Sequence, residues 1–78
     1  MNSGGSRMDD EKIKVVLASY RAELLKFGGE YKVAIFGYPN KLFSIKDIIK
    51  EIEENPGSEL AKIFIESRWE YLKYKGLV

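Results

Sequence analysis

The sequence predicts a small α+β fold, mostly helical: an N-terminal helix, one short strand or small hairpin, then two helices. Three observations predict it. Apolar residues recur at helical spacing in three separate segments. One β-branched and aromatic run stands between the first and second of them. Glycine, proline or asparagine marks the joins.

The first helix is expected from about Asp10 to Phe27. Ile13, Leu17, Tyr20, Leu24 and Phe27 alternate spacings of four and three, which makes one helical stripe. Val16, Ala18, Ala22 and Leu25 are expected to widen it. Asp9, Asp10 and Glu11 then fall at the helix start, where the backbone dipole favours negative charge. Gly28 and Gly29 supply the left-handed stop.

The strand is expected over Tyr31–Phe36. Tyr31, Val33 and Ile35 share one face, and Lys32, Ala34 and Phe36 the other. Both faces are largely apolar, so cover on both sides or a partner strand is expected. Gly37, Tyr38, Pro39 and Asn40 carry a turn signal, and Leu42–Phe43 is the stub of a returning strand.

The second helix is expected from Ile45 to about Glu54. Ser44 is a good N-cap, Asp47 stands where a reciprocal capping acid would, and Phe43 and Ile48 are spaced for a hydrophobic staple. Ile45, Ile48, Ile49 and Ile52 form one apolar face. The third helix is expected from about Ser58 to Tyr74. Either Ser58 caps it, or Asn55 does with Pro56 at the first helical position. Its apolar residues, from Leu60 to Tyr74, cover an arc of about 240° at ~100° per residue, and Gly76 ends it.

Composition bounds the chemistry. The 78 residues are 45% hydrophobic and 32% charged, which is globular and too apolar for a disordered chain. No apolar run approaches the ~20 residues of a membrane span. Met1 to Arg7 reads as the remnant of an expression tag, because Asn2 to Ser6 has linker composition and Met8 follows as a second start. Residues 8–78 are then a single domain. The chain has no cysteine, which excludes disulfides, thiolate metal sites and a catalytic thiol, and makes the cytoplasm the expected location. It has no histidine, which removes imidazole ligands and the commonest general base.

No catalytic residue, metal site or cofactor site is expected. Ser19, Ser44, Ser58 and Ser67 lack a nucleophile motif. Asp47, Glu51 and Glu54 have the spacing of an ordinary solvated helix face. Gly28, Gly29 and Gly37 match no phosphate-binding loop. Four residues stand out instead as candidates for binding a partner. Tyr38 and Asn40 lie at the turn signal, where an amphipathic ring is well placed at an interface. Arg68 falls inside the apolar arc of the last helix, where a guanidinium must pair, snorkel or meet a ligand. Trp69 beside it is the largest side chain of the sequence.

A lone strand whose only partner is a two-residue stub, and a helix apolar over most of its circumference, are both completed by a two-fold dimer. The expected function is therefore a small non-enzymatic protein–protein interaction or regulatory module, acting as a homodimer and on an unidentified protein partner. The alternative is a DNA-binding regulator. The order strand, helix, Gly57-containing connection and helix over Tyr31–Tyr74 resembles a ribbon-helix-helix repressor, and that resemblance implies paired strands presenting Lys32, Ala34 and Phe36 to bases. Ser44–Val78, ending in Lys75, Gly76, Leu77 and Val78, resembles a winged helix. Against the ribbon form stands a poor base-reading set, and against both stands a second half, Ser44–Val78, with seven acids and six bases.

Overall fold

The computed structural model describes residues 3–35 and 38–78; the side chains of residues 3–9, 38 and 39 are outside that description. The elements run α1 (Ser3–Phe27), β1 (Lys32–Ile35), β2 (Tyr38–Ser44), α2 (Ile45–Glu54) and α3 (Glu59–Tyr74). The α+β class and the order of elements are as the sequence predicts.

α1 starts seven residues before the expected Asp10. Helix nucleation is the costly step, and each residue added to an existing helix gains one hydrogen bond. Asp9, Asp10 and Glu11 consequently lie inside α1, and its first turn carries no acid. The buried line of α1 is Val16 and Tyr20, flanked by partly buried Ile13, Leu17 and Leu24. Ala18, Ala22 and Leu25 do not widen it, since all three are exposed. At ~100° per residue they project opposite Val16 and Tyr20. The helix ends on Gly28, whose φ is +91°, with its N–H donating to the Leu24 carbonyl at 2.7 Å, a left-handed cap.

The small hairpin is as expected, and the turn expected at Tyr38, Pro39 and Asn40 is corrected. Tyr38, Pro39 and Asn40 belong to a seven-residue β2, antiparallel to β1. Val33 faces Phe43 and Ala34 faces Leu42, but Ile35 faces Tyr38. Pro39, Asn40 and Lys41 are thus surplus to the ladder and form a bulge. A bulge is where a strand tolerates proline, which has no N–H to give. β1 has its partner within its own chain, so strand pairing does not require a second copy. Val33, Ile35 and Phe43 turn inward, and the Phe43 ring meets Phe64 edge-on at 4.9 Å. On the other face Ala34 and Leu42 are both exposed among the described residues.

α2 matches its sequence pattern at every apolar position. Ile45, Ile48, Ile49 and Ile52 are all buried. Ser44 Oγ accepts from the Asp47 N–H at 3.1 Å, the first half of the capping arrangement. Between the alternatives for α3, Ser58 is the cap: its Oγ accepts from the Ala61 N–H at 3.0 Å, while Asn55 closes α2. Ala61, Phe64, Ile65 and Leu72 are buried, with Tyr71 and Tyr74 exposed. The core lies where α1, α2 and α3 meet, and the inner face of the hairpin closes it.

Candidate interaction surfaces

Arg68 is drawn inward. Its Nη2 donates to Glu23 Oε1 at 2.6 Å and its Nη1 to Ser19 Oγ at 3.2 Å, both on α1. The guanidinium carbon stands 4.3 Å from the Tyr20 ring centroid and 5.1 Å from that of Tyr71. One cation thus bridges two helices by charge, hydrogen bond and ring stacking. Tyr20 completes the joint: its buried hydroxyl donates to the Phe64 carbonyl at 2.9 Å. Burial pushes this hydroxyl above its usual pKa, and the neighbouring Arg68 partly opposes the rise.

Trp69 is half-buried against the core, with the Lys12 ammonium 5.5 Å from its ring centroid. Lys12 also pairs with Glu66. Beside this pair a shallow cleft of about 350 Å³ opens between α1 and the start of α3, with Pro56 and Gly57 on its rim. Asn40 is exposed in the β2 bulge. Tyr38 lies on β2, and its side chain is outside the described residues. Arg68 and Trp69 are consecutive on α3, whereas Tyr38 and Asn40 lie on the hairpin, and no described contact gathers the four into one site. Glu51, one of the three spaced acids, accepts a hydrogen bond from Ser58 Oγ at 2.7 Å. Among the described residues no three acidic side chains converge as they would around a cation, and no helix is long and apolar enough to cross a membrane.

Two surfaces not singled out in the sequence carry more exposed aromatic and apolar area. At the end of α3 the Gly76 N–H donates to the Lys73 carbonyl and the Leu77 N–H to the Leu72 carbonyl, with Gly76 at φ +76°. This is the full Schellman pair of bonds. It fixes the backbone of Leu77, which is still 67% exposed, and Tyr74 in the last turn of α3 is 87% exposed.

The second surface lies where α1 hands over to β1. Phe27 and Tyr31 stack across the glycine pair, with centroids 4.5 Å apart and planes at 21°. The Lys26 ammonium is 5.4 Å from the Phe27 centroid. The Tyr31 carbonyl accepts from the Ile45 N–H at 3.0 Å, which ties the pair to the start of α2. The signals were present in the sequence as aromatics on either side of a glycine stop, and as an apolar residue directly after Gly76.

Comparison with known proteins adds no relative: no family model, no curated protein and no solved structure matches the chain.

Proposed function

We propose that this chain is a small, non-enzymatic, cytoplasmic interaction module that acts as a homodimer. The observation that carries the reading is the apolar surface at the end of α3, where Tyr74 and Leu77 remain open while the backbone holds Leu77 in place. An ordered, exposed hydrophobic residue gains nothing from water and gains about 25 cal/mol per Å² when a partner covers it. A second copy is the occupant that needs no further chain, and a two-fold axis would set two such ends against each other. The outer hairpin face, with Leu42 exposed opposite Ala34, offers a separate apolar area for a protein partner. The reading as a binding module is further supported by the engagement of Arg68 in a structural joint and by the cysteine- and histidine-free sequence.

Light scattering on a size-exclusion column tests the dimer. The expected result is twice the 9.0 kDa chain mass, falling to the monomer mass in a Tyr74→Ser/Leu77→Ser variant that keeps its helical circular dichroism. A monomeric parent protein, or a dimer indifferent to both substitutions, overturns the proposed interface.

A further inference from the structure

We propose that the corner formed by Lys26, Phe27, Tyr31, Lys46 and Lys50 binds single-stranded nucleic acid. The inference names a partner for the binding module proposed above and uses a surface separate from the end of α3.

The charge of this nearly neutral chain is segregated. From residue 31 to residue 46 there are three lysines, Lys32, Lys41 and Lys46, and no acid. From residue 51 to residue 59 there are four glutamates and no base. Lys12, Arg21, Arg68 and Lys73 each have a carboxylate partner, and all four lie on α1 or α3. Among the described residues Lys26, Lys32, Lys46 and Lys50 have none, as is also true of Lys14, Lys41, Lys62 and Lys75. Of these, Lys26 and Lys46 stand at the two sides of the glycine turn after α1, where an unpaired ammonium is free to neutralise a phosphate, the group that dominates affinity for nucleic acid.

Lys26 and Lys46 flank an aromatic pair. A Cβ at Gly29 would stand 3.7 Å from Lys46 Cβ and Cδ, so the Lys46 stem runs along the glycine turn that joins Phe27 to Tyr31. Lys50 is one turn further along α2, on the same exposed side. Phe27 and Tyr31 are 47% and 41% exposed. The two rings cover one face of each other and Lys26 stands over Phe27, which leaves the remaining surface of the Tyr31 ring for a base. An exposed aromatic face beside lysines suits unpaired bases, which stack regardless of sequence. A duplex offers no free base faces, and the adjoining outer strand residues Ala34 and Leu42 have no hydrogen bonds to give to base edges. Glu30 and Asp47 lie at the same corner and reduce its net charge, so modest affinity and a shallow salt dependence are expected.

The test is fluorescence anisotropy of the full chain with labelled oligo-dT of about 20 nucleotides, ample for one site. Binding should be at least tenfold tighter than to a duplex of the same length. It should weaken about 20-fold between roughly 50 and roughly 200 mM salt, the response to about three phosphate contacts. Lys46→Glu/Lys50→Glu, both exposed and away from the core, should weaken it at least tenfold, and Phe27→Ser/Tyr31→Ser should do the same if circular dichroism shows an unchanged fold. Absence of binding, preference for duplex, preference for anionic phosphatidylserine vesicles, or affinity unchanged in the lysine variant would each overturn the assignment. A dimer that ignores oligo-dT overturns this proposal alone, and a monomer that binds it overturns the dimer alone.

Discussion

Arg68 shows what a single charged residue does in a core this small. Its side chain and that of Glu23 are 12% and 22% exposed, so the pair is mostly removed from water yet not fully dry. Arg68→Ala would leave Glu23 without its cation and the Tyr20 ring without its cover. The expected loss is about 2 kcal/mol, below the figure for a fully buried pair because Glu23 keeps some hydration. Arg68→Lys should lose about half as much, because an ammonium cannot fork to both Glu23 and Ser19 or stack on Tyr20 in the same way. Urea unfolding at unchanged slope measures both, and a loss under ~0.5 kcal/mol for alanine would reduce the joint to an ordinary surface pair.

Tyr20 makes the complementary prediction. A hydroxyl pKa raised by folding means that the native state holds this proton more tightly than the unfolded chain. Its contribution is therefore complete below the ordinary tyrosine value of 10.0 and is lost as pH rises through the higher folded value. Tyr20→Phe should cost about 1 kcal/mol at neutral pH, through the lost bond to the Phe64 carbonyl. The gap between the two proteins should narrow or reverse above pH 10. A gap that stays constant from neutral pH into that range would show that the hydroxyl does not carry this linkage.

At the scale of elements, the helix ends hold the most testable local chemistry. Ser58 caps α3 through the Ala61 N–H and at the same time donates to Glu51 at the end of α2. One hydroxyl therefore fixes the angle between consecutive helices. Ser58→Ala should cost about 1–2 kcal/mol, and Ser58→Thr less than half of that, since threonine retains both functions. Thermal melts of the two variants decide it, and equal losses would mean that the side chain oxygen is not the active feature.

Elements were legible where one local rule dominated. The four isoleucines of α2 follow a spacing that only one helix face satisfies, and all four are buried. Residues 38–40 were not legible, because proline and asparagine signal a turn whether they sit in a turn or in a bulge. The deciding fact is the pairing of Ile35 with Tyr38, which is a tertiary outcome. Leu25 was misassigned for a different reason. Its hydrophobicity suggested the core, while its angular position, opposite Val16 and Tyr20, already placed it outside. The inward turn of Arg68 could be expected from its place in the apolar arc, but Glu23 and Ser19 as its partners could not, since they are more than forty residues away.

At the scale of the whole molecule, α1 determines whether this is one cooperative unit. Val16 and Tyr20 complete a core whose other large members come from α2, α3 and Ile35 of β1, and α1 is held there by Arg68 and by the Lys12 contact with Trp69. A two-stranded hairpin with two helices would have little core without it. The sole tryptophan therefore reports the docking of α1 on α3, while far-ultraviolet circular dichroism reports all three helices. The two signals should melt at one midpoint, as a two-state unit requires, and an earlier tryptophan transition would show that α1 undocks before α2 and α3 unfold. If folding is linked to the proposed dimer, that midpoint should also rise with protein concentration by mass action. The Tyr74→Ser/Leu77→Ser variant should then lose the concentration dependence and keep the coincidence of the two signals, because neither residue belongs to the core that α1 completes.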